Sequence, residues 1–215
     1  MQKRVYDISN KKVQYLMTTD VRLSDLIQTI GSCELHLEKD GFKCLVKYII
    51  GQQISDKARE TIWIRMNSID GGVTAHNICG IDIKVIQSIG ISERKARYIK
   101  NLAQNIVNMN TNLLDISYMT NEEIIEQLTS IKGIGKWTAE MYLIFSLGRE
   151  NVISSGDGTI KRVVKWLYEL QELPSSDDII NIFEKWCGYE TIVSAYFWAA
   201  ITTEVIKQPF SQLRL

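Results

Sequence analysis

Proline occurs only twice in 215 residues, and few stretches alternate apolar with polar residues as a half-buried strand does. Both shortages favour helix. Histidine is as rare: His36 and His76 stand in unrelated contexts, which excludes a zinc site built on paired histidines and a histidine-based catalytic triad. The four cysteines, Cys33, Cys44, Cys79 and Cys187, follow no C-x-x-C spacing, so buried free thiols in a reducing compartment are expected. No run of about 18 apolar residues occurs, and the start, MQKRVYDISNKK, has no apolar signal region. The expectation is a soluble, intracellular, cytoplasmic chain with no membrane partner. Neither sign of charge dominates, because 25 Lys and Arg balance 25 Asp and Glu. Any binding of a polyanion must therefore come from local clusters.

What is present is apolar surface at helical spacing. A hydrophobic content of 45% is enough for one large or two small globular cores. Val21 to Ile30 reads as a helix closed by Gly31, and Gly41 to Ile50 as a second, with Phe42, Leu45, Ile49 and Ile50 on one side. Ser55 is placed to N-cap Asp56 to Met66, and Ser92 to cap a long helix ending near Met109. In that helix Ala96, Ile99, Leu102, Ala103, Ile106 and Val107 follow the spacing of one buried face. Pro174 and the acids after it open a helix toward Trp186, and a long apolar helix is expected from Tyr189 to Ile206. No strand pair joined by a turn of the Asn-Gly type stands out. The fold class is all-α.

Residues 128–162 hold the most chemistry. Thr120-Asn121-Glu122-Glu123 has the capping-box pattern that opens a helix, here ending near Leu128, and Trp137 to Leu147 is helical again. Between them lies Ile131-Lys132-Gly133-Ile134-Gly135-Lys136. A G-x-G turn between two helices leaves N–H groups at the start of the second without acceptors, and with the helix dipole they form a place for a phosphate. Lys132 and Lys136 add positive charge, joined by Lys161, Arg162 and Lys165, while acids gather at 120–126 and 177–184. The plainer reading is a helical hairpin that needs glycine for left-handed backbone angles. Downstream, Asp157 stands between Gly156 and Gly158. A carboxylate there either caps a helix from Gly158 to Leu170 or steadies a developing cation, and the roles are compatible.

Four blocks extend the pattern: Tyr48-Ile-Ile-Gly-Gln-Gln-Ile-Ser55, Gly90-Ile-Ser-Glu-Arg-Lys-Ala-Arg-Tyr-Ile-Lys100, Gly133-Ile-Gly-Lys-Trp-Thr-Ala139 and Gly156-Asp157-Gly158. In this order and spacing the chain resembles the helix-hairpin-helix (HhH-GPD) DNA glycosylases, in particular the alkylpurine, or 3-methyladenine, branch. The resemblance spans residues 20–200. It implies a two-lobed helical bundle, with a central lobe over 33–150, a second lobe from 1–32 plus 151–215, and the active site in the cleft between lobes. It also implies a monomer that acts in base excision repair on double-stranded DNA containing damaged bases.

On this resemblance Asp157 is the catalytic residue, stabilising the oxocarbenium-like sugar while water attacks. Relatives that also nick the backbone carry a lysine where Trp137 stands, and its amine forms a Schiff base. An indole cannot, so a monofunctional glycosylase leaving an abasic site is expected. Trp137, Trp198 and Met141 would line the base pocket, the indoles stacking on flipped, cationic 3-methyladenine or 7-methylguanine. For Trp198 the alternative is core packing. Gln53 would fill the gap left by the flipped nucleotide, while Gln52 caps a helix or ties its loop to its neighbours. Lys132, Gly133, Gly135, Lys136 and Thr138 would contact the DNA backbone. The carbonyls of Thr129, Ile131 and Ile134 would hold a monovalent cation, Na+ or K+. No cofactor is required. Only Cys187 lies where some relatives gather four cysteines, so no iron–sulfur cluster is expected.

The chain also departs from the family. Lys132 stands where a proline is common, Glu190-Thr191 where an arginine–serine pair is common, and Ser154-Ser155-Gly156 replaces a proline-bearing turn. Substrate range is therefore left open. The alternatives are a glycosylase for another damaged or deaminated base such as hypoxanthine, and a non-catalytic helix-hairpin-helix module that binds duplex backbone.

Overall fold

The computed structural model describes residues 2–108 and 111–213. In chain order its elements are β1 (Gln2–Tyr6), α1 (Lys11–Thr19), α2 (Val21–Ile30), β2 (Cys33–Leu37), α3 (Gly41–Gly51), α4 (Asp56–Asn67), α5 (Ala75–Gly80), α6 (Ile83–Ser88), α7 (Glu93–Val107), α8 (Asn121–Thr129), α9 (Lys136–Phe145), α10 (Gly158–Leu167), α11 (Ser176–Phe183) and α12 (Glu190–Thr202). They group into two compact units, Met1–Leu37 with Gly148–Leu215, and Glu38–Leu147. α7 ends at Val107 with Asn108 as its C-cap, and Met109, to which the helix was expected to run, lies outside the described residues.

The chain is mostly helical, with one addition. β1 and β2 pair antiparallel, from Gln2 opposite Leu37 to Tyr6 opposite Cys33. β2 does alternate, burying Cys33, Leu35 and Leu37 and exposing Glu34 and His36. Its partner is reached through two helices and not a tight turn, so a search for hairpin turns misses it. This pairing puts residues 33–37, assigned from the sequence to the central lobe, in the unit that holds the N-terminus.

In that first unit Phe183, Trp186 and Phe197 meet edge to face, with ring centroids 4.9, 5.7 and 6.1 Å apart. Around them α12 packs on α10 and α2. Asp20 N-caps α2 by accepting from the Leu23 N–H at 3.0 Å. Its other oxygen accepts from the Tyr168 hydroxyl at 2.6 Å and from Lys185, which also donates to Tyr168 at 2.8 Å. α10 stops at Leu167, earlier than Leu170, because Glu169 takes a φ of 53° and the Leu170 N–H turns back to the Lys165 carbonyl. α12 likewise stops at Thr202, ahead of Glu204 at φ 62°.

In the second unit α3 is buried along almost its whole length and packs on α4, α7 and α9. The caps read from the sequence form: Ser55 accepts from Ala58, Ser92 from Lys95, and Thr120 and Glu123 make a reciprocal capping box. The unit closes on itself where the Glu38 N–H donates to the Phe145 carbonyl at 2.8 Å.

The thiols divide. Cys33 and Cys44 are buried, and burial pushes Cys33 up to about 12 and Cys44 up as well. Cys187, expected inside, is exposed, because it follows the short turn Glu184–Trp186 in which Trp186 takes the core position. Among the described residues no helix is long and apolar enough to cross a membrane.

The Asp20 carboxylate yields a test of this unit. Burial works against its charge, but the Lys185 and Tyr168 hydrogen bonds outweigh burial and hold it below the usual carboxylate range. A lowered carboxylate contributes stability that is present above its unfolded pKa and lost as pH falls through the folded one. Asp20→Asn keeps the cap and loses the charge, so it should cost about 1–3 kcal/mol at neutral pH. The gap to wild type in urea melts should narrow below about pH 4.

Candidate active site and helix-hairpin-helix

The hairpin is built from α8, a six-residue turn and α9. The Ile131 N–H donates to the Leu128 carbonyl and the Ile134 N–H to the Ile131 carbonyl, at 3.1 and 3.0 Å, which winds the chain back. Gly133 has φ 106° and lies against Tyr98 so closely that a Cβ would fall 2.3 Å from its ring. Both the angle and the contact demand glycine. The outward carbonyls are held: Lys132's accepts from the Asn101 amide and Gly133's from the Gln52 amide, each at 3.0 Å. Gln52 also donates to the Thr138 hydroxyl at 3.0 Å, so it ties its loop to the hairpin.

Gly135 N-caps α9 with no side-chain hydrogen bond, and a Cβ there would meet nothing within 4 Å. The amides of the first turn have no intrahelical acceptor, and the dipole adds partial positive charge. Lys132 and Lys136 are exposed beside this turn, and Thr138 is buried. Lys136 lies 4.0 Å from the carboxylate of Glu140, a buried acid one helical turn on.

Trp137 and Met141 are four residues apart on α9, and so share a face. Met141 is buried and Trp137 half-buried. Trp137 meets Tyr48 edge-on at 5.8 Å, Tyr48 stacks on Phe145 at 5.2 Å, and the Arg59 guanidinium sits 5.2 Å from the Tyr48 ring. Tyr48 opens the first of the four sequence blocks, yet its place beneath Trp137 had no signal in spacing. Gln53, between α3 and α4, is exposed and has φ 58°.

In the other unit the chain enters α10 through Ser154, Ser155 and Gly156. The Asp157 N–H donates to the Ser154 carbonyl at 3.0 Å. One carboxylate oxygen of Asp157 accepts from the Thr159 and Ile160 N–H groups at 2.8 and 3.0 Å, so the residue is the N-cap of α10 and is oriented by it. It is 9% exposed. The segment before it is pinned by Thr191, whose hydroxyl accepts from the Val152 N–H at 3.2 Å and donates to the Val152 carbonyl at 3.1 Å. Of the departing pair at 190–191, it is Thr191 that supplies a structural tie. Lys161, Arg162 and Lys165 follow along α10. On α12, Phe197 is fully buried while Trp198 keeps partial exposure. Among the described residues no three His, Cys, Asp or Glu side chains come together as a metal would need.

Residues 46–188 match the family model for "HhH-GPD superfamily base excision DNA repair protein". The chain belongs to that superfamily. Within the HhH-GPD proteins it is 29% identical over 192 residues to the alkylbase DNA glycosidase-like protein mag2 of Schizosaccharomyces pombe, covering 86% of this chain and 90% of that one. Its fold is similar to that of a DNA-3-methyladenine glycosidase from Bacillus halodurans, with TM-score 0.79, 32% identity and 94% of each chain covered. It is also similar to the 3-methyladenine DNA glycosylase Mag1 of Schizosaccharomyces pombe, solved in complex with abasic DNA, with TM-score 0.83, 29% identity, and 90% of this chain and 97% of that one covered.

The two hairpin glycines should separate in a thermal melt. Gly133→Ala meets both the Tyr98 ring and a forbidden angle and should cost more than about 2 kcal/mol. Gly135→Ala meets open space and should stay within about 1 kcal/mol. Equal losses would contradict the packing described.

Proposed function

We propose that this HhH-GPD protein is a monofunctional DNA glycosylase of base excision repair, hydrolysing the N-glycosidic bond of alkylated purines of the 3-methyladenine and 7-methylguanine type in double-stranded DNA. The observation that carries the reading is Asp157, held in one orientation by two amides of α10 at 2.8 and 3.0 Å. As the bond from the sugar to the base breaks, the electron pair leaves with the base and positive charge grows on the sugar. The Asp157 carboxylate stabilises that charge, and water forms the new bond to carbon. A cationic alkylated base is a good leaving group because it departs neutral. The orienting hydrogen bonds cost no rearrangement at the moment of reaction.

The reading assigns base stacking to Trp137 and Trp198, a pocket-lining role to Met141, and gap filling to Gln53. Backbone contacts fall to Lys132, Gly133, Gly135, Lys136 and Thr138, where helix-start amides without an intrahelical acceptor suit a phosphate. The carbonyls of Thr129, Ile131 and Ile134 are a neutral donor set of the kind that suits Na+ or K+; Ile131's already accepts one N–H and keeps a second lone pair. No lyase step is assigned. Trp137 offers no amine, and that of the adjacent Lys136 lies 4.0 Å from the Glu140 carboxylate.

The test is incubation with duplexes carrying single defined lesions, followed by alkali to reveal abasic sites, with a parallel sample left without alkali. Alkali-dependent cleavage at 3-methyladenine or 7-methylguanine is expected, and cleavage without alkali would contradict the monofunctional reading. Asp157→Asn keeps the cap and removes the charge, so excision should fall at least ~10²-fold with binding to an abasic-site duplex nearly unchanged. Wild-type excision by the variant would falsify the assignment.

Trp198→Ala addresses the base. Loss of a stacking partner worth roughly 1–3 kcal/mol should slow single-turnover release of a cationic lesion more than of neutral hypoxanthine. Parallel losses on both, tracking a lower melting temperature, would return Trp198 to the core.

A further inference from the structure

Gln53 is the one residue in the loop between α3 and α4 that holds a left-handed angle, φ 58°, and it is exposed. A non-glycine residue keeps such an angle only where its surroundings over-determine it. Here they do so from two sides. Lys95 of α7 reaches the end of α3 and donates to the carbonyls of Ile50 at 2.7 Å and Gln52 at 2.8 Å. The Gln52 side chain spends its amide hydrogens in the opposite direction, on the Gly133 carbonyl and the Thr138 hydroxyl, both at 3.0 Å. The backbone just before Gln53 is thus fastened to α7, and the side chain just before it to the hairpin.

We propose that Gln52 is a positioning residue which sets the register between the hairpin and Gln53. Because it is pinned to the hairpin turn, a phosphate held at the start of α9 fixes how far along the duplex the Gln53 side chain enters. Anchor and plug then act as one rigid gauge. An aliphatic side chain at 52 would fill the space and lose the register, since neither the carbonyl nor the hydroxyl would find its donor. This inference rests on the hairpin and Gln53 meeting DNA as assigned above.

The experiment is a double-mutant cycle read in binding. Wild type, Gln52→Leu, Gln53→Ala and the double variant are titrated by fluorescence anisotropy against one duplex with a tetrahydrofuran abasic analogue and the same duplex intact. Each single variant should lose about tenfold of the preference for the abasic duplex, the effect of one or two hydrogen bonds, with affinity for intact duplex little changed. The double variant should be no worse than the poorer single, because a plug that is out of register has nothing left to lose. Lys95→Met releases the same loop without touching the hairpin and should show the same non-additivity with Gln53→Ala, which covers the case of Gln52→Leu failing to fold. Multiplying losses, or an equal fall on both duplexes that follows melting temperature, would overturn the proposal and leave Gln52 a stability residue. A wild type that prefers abasic duplex but releases no alkylated base would overturn the glycosylase reading alone. A wild type without that preference would overturn this one.

Discussion

Amides in the first turn of a helix have no partner inside it, and what each helix start does with them organises this molecule. Most starts are closed from within. Asn10, Asp20, Asp40, Ser55, Ser92, Thr120 and Ser175 each lay a side-chain oxygen on the amides that follow. α12 has no side-chain cap, but its Thr191 amide is taken by the Glu150 carbonyl at 2.9 Å. α9 differs: it begins at a glycine with open space where a side chain would be. α10 differs in another way, because the oxygen that closes it belongs to the carboxylate assigned to chemistry. One helix start is left without a side-chain cap, and the other uses its dipole to hold an acid still.

Much of this was legible in the sequence, for local reasons. Ser55, Ser92 and Thr120 cap where they were read to cap, since capping depends on residues three apart. Gly133 was read as a left-handed turn residue and has φ 106°. What escaped was non-local or unmarked. β1 finds β2 across two intervening helices, and Gln52 bonds to a carbonyl 81 positions away. Helix ends were overrun at Glu169 and Glu204, because a glutamate gives no warning that it will take a left-handed angle. Gln53 adopts one as well, and there the cause is the pair of restraints around it.

The departures at Thr191 and at Ser154-Ser155 are absorbed as packing. Thr191 clamps the strand-like stretch at Val152 that leads toward Asp157, and buried Ser154 and Ser155 complete the turn without a proline. A rigid ring is replaced by hydrogen bonds and burial, and the turn still delivers Asp157 to the start of α10.

The closing bond between Glu38 and Phe145 has a consequence for how the chain is made. The unit that carries the hairpin is a continuous insertion whose two ends meet, so all its contacts are available once residue 147 has left the ribosome. The other unit is split, and neither α10 nor α12 exists when β1 first emerges. Loop-closure entropy favours the nearer contacts, so the inserted unit has every reason to fold first. The N-terminal strand then waits, through most of synthesis, for α12, whose Tyr196 hydroxyl donates to the Tyr6 carbonyl of β1.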